Sequence, residues 1–188
     1  AVELWIGRPR NALDVRRRLE LTAYPEWCCG VAPAPGGEFH NLFIETARQE
    51  NAIFAWNHMW DVANPRWGHW NTDFPYVSAF GTTERVSSAE GDKAAFLGRN
   101  GTVRAPEALM HGEWRGLFGR HSDPIAAMRS VVELGPGEEK TIGFAIAVTK
   151  SREESADLLR RSLDVASMQK AFADVKHSWT ERLASHRM

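Results

Sequence analysis

The chain has 188 residues, of which 43% are hydrophobic, and it carries 23 Lys and Arg against 24 Asp and Glu. This length and apolar content are sufficient for one globular domain with a buried core. A formal net charge of -1 argues against nucleic-acid binding, which requires a basic face. No apolar run approaches the roughly 20 residues that span a bilayer, so we expect no membrane-spanning segment.

The first residues of the chain and its two cysteines each support one expectation. Ala1 leads directly into a strand-like pattern without the features of a secretory leader, so we expect a piece cut from a longer protein. The only cysteines, Cys28 and Cys29, are adjacent, and a disulfide between neighbours on a strand is strained. We expect buried thiols in a reducing, cytoplasmic compartment. A redox-active vicinal pair is the alternative, although no CxxC spacing supports it.

The first two thirds of the chain predict β-strands, because apolar residues recur at every second position. Leu19, Leu21 and Ala23 alternate with polar or charged residues. Two later segments each place a set of side chains on one face: Leu42, Ile44 and Thr46, and then Ala52, Phe54, Trp56, His58 and Trp60. Several strands are partly apolar on both faces, which favours a layered sandwich over a small barrel with one wet face.

A β-hairpin is predicted after Asp123 and Pro124. Its first strand covers 125–134, the residues 135–138 (GPGE) form the turn, and the return strand covers 140–148. The buried face of the return strand is expected to consist of Ile142, Phe144, Ile146 and Val148.

The hydrophobic period changes at Ser151, where Ser151 and Glu154 match a capping box and predict a helix start. Two apolar stripes follow, separated by a break near Ser167: Ala156, Leu159, Leu163 and Ala166, and then Phe172, Val175, Trp179 and Leu183. We expect a sandwich domain over 1–150 and a helical linker over 151–188. Exposure of Trp179 and Leu183 would indicate a missing partner.

Aromatic and polar side chains alternate between Trp56 and Tyr76. An indole can stack on the apolar face of a sugar while neighbouring groups bond its hydroxyls. Trp60, Trp67 and Trp70 are therefore candidate carbohydrate-binding residues, and burial in the core is the alternative.

The same region holds three competent metal ligands, His58, Asp61 and His69. Their spacing matches no zinc signature, so we expect no metal site. No nucleophile elbow and no phosphate-binding glycine loop is present, so we assign no catalytic residue. Paired carboxylates for glycoside chemistry stay open, since their separation in space is invisible in a sequence.

The segment 90–101 (EGDKAAFLGRNG) combines acidic, basic, aromatic and glycine residues. A charged turn closed by an ion pair from Asp92 to Lys93 or Arg99 is the simplest interpretation. The segment also resembles the pattern D-R-x-x-F-L-G-R of glycoside hydrolase family 94, the inverting phosphorylases that act on cellobiose and chitobiose, together with part of the cyclic β-1,2-glucan synthases. Gly91 and Lys93 stand where the glucan synthase branch usually has Thr and Arg.

Further segments resemble motifs of that family in the family's order: 18–27 (RLELTAYPEW), 39–46 (FHNLFIET), 123–129 (DPIAAMR), 134–138 (LGPGE) and 151–154 (SREE). The resemblance implies a mainly β fold, a two-layer antiparallel supersandwich of the galactose-mutarotase-like type, followed by linker helices and an (α/α)6 barrel. It also implies strands before Ala1. In such enzymes the barrel carries the general acid, and phosphate attacks the anomeric carbon with inversion.

We expect this chain to stop short of the barrel, so the resemblance assigns it no catalytic residue and no cofactor. Inorganic phosphate would be a co-substrate of the parent enzyme. The implied partners are a β-glucan or oligosaccharide, the barrel and a second copy in a homodimer. Asp92, Lys93 and Arg99 join Trp60, Trp67 and Trp70 as candidate rim or sugar-contact residues.

The resulting hypothesis is a non-catalytic scaffold of a phosphorylase or glycosyltransferase-type enzyme. A self-sufficient carbohydrate-binding module that uses the surface of Trp60, Trp67 and Trp70 is the first alternative. A small independent hydrolase is the second, although no recognisable nucleophile or metal motif supports it.

Overall fold

The computed structural model describes residues 1–30, 41–58 and 74–185. The strands in these ranges are β1 (Val2–Gly7), β2 (Arg17–Ala23), β3 (Ile44–Gln49), β4 (Ala52–Asn57), β5 (Val77–Thr82), β6 (Val86–Asp92), β7 (Gly119–Arg120), β8 (Pro124–Leu134) and β9 (Ile142–Thr149). The helices are α1 (Lys93–Leu97), α2 (Glu107–His111), α3 (Arg152–Ser162) and α4 (Val165–Ser185). No helix in this part of the chain is long and apolar enough to cross a membrane.

The strands form two antiparallel sheets, which confirms the predicted sandwich. The larger sheet has the order β1-β9-β5-β4-β3-β7, and the smaller has the order β2-β8-β6. The core between them contains residues of both sheets, among them Ile53 and Phe80 of the larger sheet and Ala126 and Met128 of the smaller. Burial of this apolar layer is the main stabilising contribution to the sandwich.

The larger sheet is also covered on its outer face. Leu159 of α3 packs with Phe54, Ala79, Ala145 and Ala147 in a second buried cluster. Three of these sheet residues are alanines, whose small side chains let the helix approach closely. Several strands are therefore apolar on both faces, as the sequence pattern indicated.

The predicted hairpin between β8 and β9 is wrong, although both strands lie close to their predicted positions. β8 pairs with β2 and β6 in the smaller sheet, whereas β9 pairs with β1 and β5 in the larger one. The turn at 135–138 reverses the chain, with the Glu138 N–H donating to the Gly135 carbonyl at 3.1 Å. It carries the chain from one sheet to the other. Turn residues specify a reversal, but they do not determine which strands become partners.

Both faces of β9 are covered, and not only the face that was expected to be buried. Phe144 and Ile146 pack against the core between the sheets, while Ala145 and Ala147 on the opposite face are more completely buried under α3. β9 is a central strand with neighbours on both edges and packing on both faces.

The helix start at Ser151 is confirmed, and the details differ at two points. Ser151 Oγ accepts from the Glu154 N–H at 3.1 Å, but the Glu154 carboxylate accepts from the Lys150 N–H at 3.3 Å and not from that of Ser151. The break falls at 163–164 and not near Ser167, because Asp164 caps α4 by accepting from the Ser167 N–H at 2.9 Å. That hydrogen bond also lowers the pKa of Asp164.

The two predicted helical stripes have different environments. In the first, Leu159 is buried, whereas Ala166 lies beyond the break and is exposed, and Met168 is the buried residue of α4 instead. The second stripe is bare: Phe172, Val175, Trp179 and Leu183 are 65%, 57%, 57% and 64% exposed. We call these four residues the α4 stripe.

Candidate functional site

Three segments singled out by their sequence motifs meet at one end of the sandwich, around the ammonium group of Lys93. Lys93 Nζ lies 3.0 Å from Glu26 Oε2 and 2.9 Å from Asp123 Oδ2. The Tyr24 hydroxyl donates to Glu26 Oε1 at 2.8 Å, and the Lys93 N–H donates to the Asp123 carbonyl at 3.1 Å. We call Tyr24, Glu26, Lys93 and Asp123 the Lys93 cluster.

The protonation behaviour of the Lys93 cluster follows from its geometry. Burial alone would raise the pKa of Glu26, but the hydrogen bond from Tyr24 and the ion pair with Lys93 outweigh it and lower that pKa. Burial alone would lower the pKa of Lys93, but Asp123 and Glu26 outweigh it and raise that pKa. Burial, followed by the hydrogen bond to Glu26 and the nearby negative charges, raises the pKa of Tyr24.

We expect the stability conferred by the Lys93 cluster to depend on pH in both directions. The contribution of Glu26 is present above the ordinary pKa of a glutamate and is lost as the pH falls through its lowered value. The contribution of Lys93 is present below the ordinary pKa of a lysine and is lost as the pH rises through its raised value.

The substitution Lys93→Met should reduce the free energy of unfolding at neutral pH by about 1 kcal/mol, a modest value because solvent screens these partly exposed groups. It should also move the acid loss of stability to higher pH, since Glu26 loses its cation. Urea denaturation across a pH series measures both effects. Lys170→Met, which removes an exposed ion pair with Asp174, is the matched control, and an equal effect of the two substitutions would contradict this account.

Asp92 does not form the expected ion pair with Lys93 or Arg99. Its Oδ1 accepts from the Ala94 N–H at 3.1 Å and caps α1, and its Oδ2 lies 3.8 Å from His121 Nδ1. Lys93 pairs with Glu26 and Asp123 instead. The side chains of Asp92 and Lys93 therefore both make contacts within the domain.

Arg99 lies apart from that cluster, beyond the end of α1. Together with His111, Glu113 and Arg115 it lines a depression of about 430 Å³ between α1, α2 and the segment after α2. We call this the α1–α2 depression. Arg99 is exposed, and its side chain has no hydrogen bond or ion pair within the described residues. Its guanidinium is free to donate to a ligand.

A buried carboxylate that sequence reasoning did not single out connects the two sides of this region. Glu90, at 1% exposure, accepts through Oε1 from the N–H groups of Gly91 at 3.1 Å, Asp92 at 3.3 Å and Leu117 at 2.8 Å. Its Oε2 accepts from the Gly116 N–H at 2.9 Å. The sequence shows only an acidic residue near the end of a strand, which does not reveal backbone donors 26 and 27 residues away.

Gly91 has a structural reason for differing from the Thr usual in the glucan synthase branch. A Cβ atom at Gly91 would lie 2.7 Å from Thr46 Oγ1 and 2.8 Å from the Leu117 carbonyl oxygen. These distances are too short for any side chain without movement of the backbone. In this chain the backbone around Leu117 occupies the space that a side chain at residue 91 would need.

The remaining predicted site residues fall into two groups. Trp60, Trp67 and Trp70, with Asp61 and His69, lie outside the described residues. His58 is described: its Nε2 lies 2.8 Å from Glu45 Oε2, and Trp56 Nε1 donates to the same nitrogen at 2.8 Å. No group of three or more potential ligands that could hold a metal occurs in 1–30, 41–58 and 74–185.

The cysteines only partly match the expectation. Neither forms a disulfide, but Cys29 is buried whereas Cys28 is exposed. Burial raises the pKa of the Cys29 thiol to about 12. Because the thiolate is the reactive form, Cys29 is a poor nucleophile near neutral pH.

Comparison with known proteins identifies the family. The family model for the glycosyl hydrolase 94 supersandwich domain matches residues 1–165, which include both sheets and α3. The chain belongs to this family. The resemblance inferred from the motifs at the Lys93 cluster is confirmed.

One relative is the N,N'-diacetylchitobiose phosphorylase of Vibrio furnissii. It is 24% identical over 188 residues, an alignment that covers 97% of this chain and 22% of the relative. The chain therefore spans about a fifth of the length of the curated relative that it matches.

Proposed function

We propose that this supersandwich domain is a non-catalytic scaffold of an inverting β-glucan phosphorylase or glycosyltransferase-type enzyme, and that its helices join it to an (α/α)6 catalytic barrel. The observation that carries the proposal is the α4 stripe. Four large apolar side chains, each more than half exposed, form a surface of the kind that normally lies at an interface. A chain that covers about a fifth of its relative leaves room for such a partner.

The Lys93 cluster supports the scaffold role. Its ionisable side chains bond to one another, and the Lys93 N–H donates to the Asp123 carbonyl. These bonds join the residues that follow β2 and β6 to the residue that precedes β8. The ammonium group of Lys93 is already paired with both carboxylates of the cluster, so these charges contribute to the stability of the fold. The motifs at this end of the sandwich therefore preserve the fold.

The barrel is the preferred occupant of the α4 stripe, and a second copy in a homodimer is the other candidate. The residues 172–185 of α4 are exposed on all sides, and an isolated helix of this length is marginal in water. A covering partner would stabilise it. The domain organisation, a sandwich over 1–150 and a linker over 151–188, is part of this proposal.

The docking proposal is tested by expressing the chain separately from the remainder of a longer parent protein and mixing the two. We expect a complex that the double substitution Trp179→Asp and Leu183→Asp abolishes, whereas Leu13→Asp, at a residue 51% exposed elsewhere, leaves it intact. A complex that survives the stripe substitutions would overturn the proposal. Self-association of the wild-type chain alone would favour the homodimer.

We also propose that the α1–α2 depression belongs to a sugar-binding rim. Its volume suits a small carbohydrate, and Arg99 offers donors that no described group uses. Guanidinium donors can bond sugar hydroxyls, while the alanines of α1 provide an apolar wall. A β-glucan or oligosaccharide is the ligand class, and cyclic β-1,2-glucan is one candidate.

Arg99→Ala should weaken binding of N,N'-diacetylchitobiose by roughly tenfold, the loss of one charged hydrogen bond. Titration calorimetry measures this, with Arg16→Ala, at an exposed arginine paired with Glu133, as the matched control. Unchanged affinity in Arg99→Ala would favour the alternative, a binding module that uses Trp60, Trp67 and Trp70.

The compartment proposed is cytoplasmic. Neither cysteine forms a disulfide, which supports a reducing environment.

A further inference from the structure

Glu90 presents a buried negative charge with an unusual set of partners. Both oxygens of its carboxylate accept hydrogen bonds, and all four donors are backbone N–H groups. An ionised carboxylate has acceptors only, so this environment suits the charged form. No cation in the described ranges pairs with Glu90. The charge is compensated by backbone dipoles that must stay in place.

The four donors come from two separate segments. The N–H groups of Gly91 and Asp92 precede α1, and Arg99 follows the far end of that helix. Those of Gly116 and Leu117 directly follow Arg115. Arg99 and Arg115 line the same depression, so the carboxylate joins the two walls on which these guanidinium groups stand. The Gly91 N–H donates to the Leu117 carbonyl as well, at 2.9 Å, so the same group also links the two segments directly.

We propose that Glu90 is a positioning residue for the sugar rim, which fixes the separation of Arg99 and Arg115 so that both can bond hydroxyls of one oligosaccharide. This inference rests on the sugar-binding role proposed for the α1–α2 depression. Glu90 does not touch the ligand. It acts by holding the segment that follows α2 against the end of β6.

The substitution Glu90→Gln tests the proposal, because it keeps the shape of the side chain but turns an NH₂ group toward a backbone donor. In the intact 188-residue chain we expect amide hydrogen exchange at Gly116 and Leu117 to accelerate by at least roughly tenfold. We also expect roughly tenfold weaker binding of N,N'-diacetylchitobiose. Glu133→Gln, the same change at an exposed glutamate of β8, should alter neither quantity.

A positioning role also predicts coupling between Glu90 and Arg99. In the Arg99→Ala background, Glu90→Gln should weaken binding much less than in the wild type, whereas a purely structural effect would be the same in both backgrounds. If Glu90→Gln does not fold, Glu90→Asp, which keeps the charge but withdraws the carboxylate by one methylene, takes its place with the same expectations.

The outcomes separate the two proposals. Binding that Arg99→Ala weakens but Glu90→Gln leaves unchanged would overturn the role of Glu90 and leave the sugar rim intact. Absence of saturable binding by the wild type would overturn both. Faster exchange with unchanged affinity would reduce Glu90 to a fold-stabilising residue and likewise overturn the positioning role.

Discussion

Phe96→Ala is expected to lower the free energy of unfolding by about 3–5 kcal/mol. Phe96 is 2% exposed and belongs to a buried cluster with Ala108, Ile125 and Ala127. Its ring stacks on Tyr24 with 5.2 Å between the ring centroids and meets Trp114 edge-on at 5.3 Å. Removal of the ring leaves a cavity beneath α1, at the point where two motif segments meet.

The matched control for Phe96 is Phe172→Ala in the α4 stripe. Phe172 is 65% exposed, and substitutions at such positions usually change stability by less than about 0.5 kcal/mol. Urea denaturation followed by circular dichroism compares the two variants. A small effect at Phe96 would show that the phenylalanine of the 90–101 segment is not a core residue and would reopen a direct role for it in ligand binding.

Leu159→Ala is expected to cost about 2–5 kcal/mol. Leu159 is 3% exposed, and it is the buried leucine by which α3 covers the outer face of the larger sheet. Loss of this contact exposes the alanines of β5 and β9. The same experiment also reports how firmly the linker is joined to the sandwich.

Leu183→Ala makes the identical change at a leucine that is 64% exposed, and it should leave the stability of the isolated chain unchanged. Thermal or urea unfolding of both variants at several protein concentrations measures the contrast. A concentration-dependent loss of stability at Leu183 would mean that the α4 stripe is covered by a second copy in solution, and it would count against the barrel as the preferred occupant.

The positions of the strands could be predicted from the sequence because a half-buried strand imposes a period of two on its side chains. The partners of the strands could not. β2 pairs with β8 across more than a hundred residues, from Arg17 opposite Leu134 to Ala23 opposite Met128. Such pairing depends on packing of whole layers, and the turn after Leu134 gives no information about it.

The same distinction between local and distant contacts applies to the site. The cap at Ser151 is local and predictable, whereas the cap at Asp164 is obscured by an apolar stripe that continues through Leu163. The partners of Lys93 are remote: Glu26 lies 67 residues away, so the sequence favours an ion pair with the adjacent Asp92, and that prediction is wrong. The motif makes Arg99 a candidate, which stays a prediction, whereas no sequence pattern indicates Glu90, since backbone N–H donors leave no mark in a sequence.

The most direct test of the scaffold proposal is an assay of phosphorolysis by the purified chain alone. N,N'-diacetylchitobiose, cellobiose and a β-1,2-glucan are each incubated with the chain in phosphate buffer, and release of the sugar 1-phosphate is measured. We expect no turnover above that of a sample without protein. Phosphorolysis of any of these sugars by the chain without another polypeptide would contradict it.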